Sequence, residues 1–176
     1  MTLLSVSDFI NELLIPGTEN SRSGVSQELC AAIEKYEPIF LSAAMGYGFY
    51  KDMLANIGTD GSTTPEYEKL VDGDDYTSNG ILYKWDGLRE YTAQYVYYWY
   101  WRNAMTNTTL VGQTISQTEN AAITTPAFKM VTQFNNAMNI QFTLWPYLNV
   151  NIDSYPAYNK QAVNIPFFTP INTFGI

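Results

Sequence analysis

Apolar residues recur at helical spacing through most of the first 148 positions, and that spacing is lost afterwards. In "SVSDFINELLIPG" a stripe of Val6, Phe9, Ile10, Leu13 and Leu14 predicts a short amphipathic helix, with Ser5 or Ser7 as cap and Pro16-Gly17 as stop. "TENSRSG" reads as a polar loop. A second helix is expected from about Val25 to Tyr36, with Glu37-Pro38 as its break. The run "IFLSAAMGYGFYKDMLANIG" resumes as helix, interrupted at Gly46 and Gly48, and Pro65 starts a short turn of helix in "EYEKLV". "DGDDYTSNG" is turn-rich. Beyond residue 104, "TNTTLVGQTISQTENAAI" carries threonine, glycine and β-branched residues, which argues for an extended connector or hairpin. Thr125-Pro126 then opens a helix with Ala127, Val131, Phe134, Met138 and Trp145 on one face and Lys129, Thr132, Asn136 and Thr143 opposite; Trp145-Pro146 should end it.

Residues 149–176 read differently. Pro156, Pro166 and Pro170 rule out a long helix, and Asp153 and Lys160 are the only charges. Disordered tails are charged and poor in aromatics, whereas this segment has Tyr155, Tyr158, Phe167, Phe168 and Phe174, so it is expected to dock on something. The resulting architecture is mainly α: a small helical bundle over 1–148 with an extended connector or hairpin, followed by an extended C-terminal arm.

The stretch "LREYTAQYVYYWYWRN", residues 88–103, holds seven aromatic rings between Tyr91 and Trp101. Its flanks are helical in character and Asp86 is a possible cap. On a helix, Leu88, Tyr91, Tyr95 and Trp99 form one stripe, and Tyr97 and Trp101 sit on the other side beside Glu90 and Gln94. Few aliphatic residues accompany Arg89 and Arg102, which argues against a membrane anchor. A sugar or base platform would need rings exposed on a sheet or loop. The Leu88 stripe is therefore expected to be core, and the Tyr97 and Trp101 side to contact another subunit.

Composition removes much of the remaining chemistry. The 176-residue chain fits one domain, and its 17 acidic against 9 basic residues give a net charge of -8 that disfavours adhesion to nucleic acid. It has no histidine, which excludes imidazole bases, Ser-His and Cys-His pairs and nearly all zinc or copper sites. Cys30, the single cysteine, is expected to be a buried small hydrophobe. The acidic first turns lack the basic start of a signal peptide and no run of apolar residues is long enough to span a bilayer, so a cytoplasmic site of synthesis and assembly is expected. Asp72, Asp74 and Asp75 suggest a calcium loop, but Tyr76 and Tyr83 stand where oxygen ligands are needed, and a solvated turn fits better. Carboxylate pairs drawn from Glu34, Glu37, Asp52 and Glu90 would suit a glycan hydrolase, yet no spacing selects one.

The order of elements, with "AMGYGFYKDML", "EYEKLVDGDDY", "WDGLREYTAQYVYYWYWRN", "LVGQTISQTENAA" and "WPYLN", resembles small helical head-to-tail connector, or adaptor, proteins of tailed bacteriophages infecting Bacteroidetes. The resemblance covers roughly residues 5–150 and rests on short motifs, Leu70-Val71-Asp72-Gly73 and Gly87-Leu88-Arg89 among them. It implies a virion neck protein that forms a ring homo-oligomer, commonly a dodecamer, under the portal. Neighbouring tail or neck proteins would be gripped by projecting segments, and genomic DNA would pass through without specific binding. It implies no catalytic residues, metal or cofactor, and no membrane. Subunit contacts are expected at Tyr97 and Trp101, and Phe167, Phe168 and Phe174 are expected to anchor the arm in a neighbour. Other readings are a tail-completion or head-decoration protein, a carboxylate-based hydrolase, or a small carbohydrate-binding module.

Overall fold

The computed structural model describes residues 2–57, 64–109, 112–115 and 127–171. Among these, six helices dominate: α1 (Gly24–Met45), α2 (Tyr47–Asn56), α3 (Pro65–Asp72), α4 (Leu88–Ala104), α5 (Ala127–Met138) and α6 (Ile140–Val150). Two antiparallel hairpins complete the fold, β1 (Asp74–Ser78) with β2 (Ile81–Trp85) and β3 (Thr106–Thr109) with β4 (Gly112–Ile115). The expected mainly helical architecture is observed, including a hairpin directly after the aromatic helix.

Several boundaries differ from the sequence reading, each for a physical reason. The N-terminal stripe forms two separate 3-10 turns, Val6–Asp8 and Asn11–Leu13, because Phe9 and Ile10 leave the helical backbone region after the first turn and Asn11, which opens the second, is left-handed (φ +53°). Leu3, Leu4, Phe9, Leu13 and Ile15 are buried in this arrangement, while Ile10 and Leu14 face out. Helix α1 is capped by Ser23, whose side chain accepts from the Ser26 N–H at 3.0 Å, and it runs straight through Pro38. A proline inside a helix costs about 3 kcal/mol. Burial of Leu29, Ile33, Tyr36, Phe40, Leu41 and Ala44 on the same helix outweighs that cost. Pro146 likewise lies within α6, whose Ile140, Leu144, Tyr147 and Leu148 are all in the core. The break falls instead at Asn139, dividing the expected single helix into α5 and α6. The Thr125-Pro126 start lies outside the described residues. Cys30 is exposed, contrary to expectation, because Leu29, Ile33 and Tyr36 take the buried face of α1.

Helix α4 is the centre of the molecule and packs against both α1 and α5. Tyr36 of α1 stacks on Trp99 at 5.2 Å between ring centroids and Phe40 on Tyr95 at 4.7 Å; from the other side Phe134 of α5 meets Tyr98 at 4.7 Å. The two short motifs of the sequence turn out to touch each other. Arg89 Nε stands 2.6 Å from Asp72 Oδ1, and the Trp85 indole donates to the Leu70 carbonyl at 2.9 Å. Gly87, at φ +89°, has space for no side chain: a Cβ there would lie 2.6 Å from the Val71 carbonyl oxygen.

The segment after Val150 carries only 3-10 turns and is fastened along its own protomer. Helix α1 leaves its last carbonyls without intrahelical donors. The Trp145 indole supplies one to Ala44 O at 2.9 Å, and the Asn164 N–H supplies one to Ala43 O at 2.9 Å. Tyr155 donates to the Glu66 carbonyl at 2.7 Å, and Asn135 both donates to and accepts from the Ile171 backbone, at 3.0 and 2.8 Å. What the aromatic tail docks on is therefore the body of the same chain.

Candidate functional site

The first hairpin carries the only consecutive run of exposed large apolar side chains among the described residues. Asn79 and Gly80 both have positive φ, +51° and +79°, the backbone of a tight two-residue hairpin turn. That turn fixes a register in which Tyr76 faces Tyr83, their rings stacked at 5.6 Å, and Ser78 faces Ile81. The root of β2 is deep: Trp85 is fully buried and stacks on Tyr91 and Tyr147. Its tip is not. Ile81 is 57% exposed, Leu82 67% and Tyr83 44%, three consecutive apolar residues whose side chains alternate between the two faces of the ribbon. Neither β1 nor β2 has a second strand neighbour among the described residues, so the ribbon also offers unpaired edges. Phe128 in α5 and Phe142 in α6 are exposed as well.

The residues expected to make subunit contacts lie elsewhere. Tyr97 is 4% exposed, packed on Trp101 with the Lys129 ammonium 5.5 Å from its ring centre. Trp101 is half-buried against Tyr97 and Tyr100. Phe168 is buried between Phe40 and Trp145, and Phe167 is half-buried against Phe40 and Tyr95. Phe174 lies outside the described residues. Tyr97 and Phe168, expected to reach a neighbour, are instead buried within the protomer: α4 is flanked on two sides and needs rings on both, and Phe168 fills the space between Phe40 of α1 and Trp145 of α6. Burial pushes the Tyr95 hydroxyl up to about 12, which marks the same dry interior. The hairpin tip was missed although its signal, Asn79-Gly80 between two runs of strand-forming residues, is present in the sequence.

The carboxylates singled out earlier have separate structural duties. Glu37 is fully buried and accepts the Leu3 and Leu4 N–H groups at 2.7 and 2.8 Å and the Tyr50 hydroxyl at 3.3 Å, clamping the N-terminal segment onto α1. Burial holds its carboxyl above the ordinary carboxylate range, against the pull of those three donors. Asp52 accepts from the Tyr67 hydroxyl. Asp72 pairs with Arg89, and Asp74 pairs with Lys69 at 3.2 Å. No group of three or more metal-ligating side chains comes together among the described residues, and no described helix is long and apolar enough to cross a membrane.

A cleft of about 570 Å³ lies where the N-terminal segment meets α4 and α5. It is lined by Asp8, Ile10, Glu12, Leu13, Arg89, Glu90, Ala93, Gln94 and Gln133, among others. No protein-family model, no curated protein and no solved structure matches this chain.

Proposed function

We propose that this chain is a structural subunit of a tailed-phage virion, a head-to-tail adaptor that forms a ring between portal and tail. The observation that carries the reading is the hairpin tip: Ile81, Leu82 and Tyr83 stand in solvent on both faces of a ribbon whose root is locked into a well-packed core. Apolar surface concentrated on a projecting element is the usual mark of a protein–protein contact. A ring closes through unlike patches, one on each flank of the subunit. The hairpin tip supplies the first, seated on a neighbouring copy, and the exposed Phe128 and Phe142 offer apolar surface on other elements for the second. The resemblance of residues 5–150 to phage connectors points to the portal and the next tail or neck protein as the partners above and below. The net charge of -8 suits a channel wall that DNA slides past, because tight adhesion needs cations to displace the phosphate counterions.

Electron microscopy of the concentrated purified protein, alone and mixed with the portal protein of the same phage, tests the reading. Closed rings with an axial channel, lost on Ile81→Lys and Leu82→Lys together, are expected. A particle that remains a single subunit in both samples contradicts it.

A further inference from the structure

The cleft beneath the N-terminal segment is chemically one-sided. Asp8, Glu12 and Glu90 bring three carboxylates to it, Gln94 and Gln133 bring amides, and Leu13 and Ala93 bring apolar surface. Its one cation is already committed. Arg89 pairs with Asp72 at 2.6 Å, donates to the Leu3 carbonyl at 2.8 Å and stands 3.8 Å from Asp8. Glu12 and Glu90 have no ion-pair partner among the described residues; each accepts one amide N–H, from Gln133 at 3.2 Å and from Gln94 at 3.3 Å. Gln94 carries the second, independent observation. It is 8% exposed, its amide nitrogen is spent on Glu90, and its buried Oε1 has no donor. Lys84, which also lies near enough to Glu90 to feel its charge, is bound to Asp86 at 2.6 Å. Buried acceptors are almost always satisfied, so an orphan beside two carboxylates with no cation in direct contact calls for a donor that is also a cation.

We propose that this cleft receives a cationic side chain, a lysine ammonium or an arginine guanidinium, presented by a partner protein. The head group donates to Glu12, Glu90 and Gln94 Oε1, and the aliphatic stem lies along Leu13, Ala93 and the exposed Ile10, as long basic side chains do when they pack their methylenes and keep the charge among acceptors. A carboxylate or phosphate ligand would meet acceptors and like charge. The site is separate from the hairpin tip and does not depend on ring formation.

Nα-acetyl-lysine amide and Nα-acetyl-arginine amide, each titrated into the full-length protein, test the proposal, with Nα-acetyl-norleucine amide as the neutral comparison. The readout is the Gln94 and Gln133 side-chain amide resonances. At least one cationic probe should shift them saturably while the norleucine probe leaves them in place. Glu12→Gln with Glu90→Gln should weaken binding about fivefold to tenfold, the sum expected of two exposed ion pairs, whereas Glu66→Gln, remote from the cleft, should not. Both replaced side chains are exposed, and if the double variant loses a folded spectrum the Glu90→Gln single variant carries the same comparison. Equal shifts from neutral and cationic probes, no shift from any, or unchanged affinity in the folded variant would each overturn the proposal.

Discussion

Helix α4 and the β1–β2 hairpin invert what their sequences advertise. With seven rings between Tyr91 and Trp101, α4 is the most aromatic stretch of the chain, yet it is enclosed: Tyr36 and Phe40 cover one side, Phe134 the other, and Tyr97 is left 4% exposed. The hairpin begins in an acidic, turn-rich run, and its tip carries Ile81, Leu82 and Tyr83 into solvent. Aromatic density therefore locates the centre of this molecule, not its exposed apolar surface. A central helix needs large rings to reach neighbours on every side, while surface meant for a partner has only to be apolar where the fold provides no cover.

The largest effect that can break this comparison is at the C-terminal segment, which shares the enclosed character of α4. Phe168→Ala should cost about 3–5 kcal/mol of stability, read as a lower urea midpoint of the isolated protein, because its ring is buried on Phe40 and Trp145. An unchanged midpoint would return Phe168 to the list of assembly residues. Gly87→Ala should cost about 1–3 kcal/mol, seen in thermal unfolding, since its backbone is left-handed and a Cβ would press on the Val71 carbonyl.

Next in size is a pH effect at Glu37. Its carboxyl is raised by burial, so the folded state binds a proton more readily than the unfolded chain. Its contribution to stability is fully present below the unfolded-state value and is lost as pH rises through the folded-state value, by about 1.4 kcal/mol for each unit between the two. Wild type minus Glu37→Gln, followed by urea unfolding, should therefore gain stability as pH is lowered across that interval; a flat difference would show the clamp to be solvated. The smallest effect on the protomer belongs to the hairpin tip. Leu82→Lys should change its stability by no more than about 0.5 kcal/mol, because the side chain is 67% exposed. A larger loss would mean that the tip is packed at home.

Much of this fold can be read from periodicity: the helical character of 88–104, the loop before Ser23, the stop after Met45 and, as far as Ile115, the strand-like stretch after α4 appear where spacing puts them, although Gly87 and not Asp86 stands at the start of α4. The misplaced helix boundaries share one cause, tertiary packing overriding a local signal. Pro38 and Pro146 are strong breakers in isolation, but each sits in a helix whose opposite face is anchored by core residues. The N-terminal stripe looks helical because Phe9, Ile10, Leu13 and Leu14 are spaced correctly. Only the buried placement of Leu3, Leu4 and Ile15, together with the Glu37 clamp, shows why the chain turns instead. Glu12, Gln94 and Gln133 were illegible as a cluster, since their proximity depends on how the N-terminal segment crosses α4 and α5.

The proposed contact surface is the hairpin tip, Ile81 to Tyr83, and not the enclosed aromatic helix. Light scattering coupled to size-exclusion chromatography can separate the two, comparing wild type with the Ile81→Lys, Leu82→Lys double variant over a range of concentrations. Wild type should elute as a ring-sized oligomer and the variant as a monomer of unchanged thermal stability. A wild type that stays monomeric at every concentration, or a variant that assembles as well as wild type, would contradict that assignment.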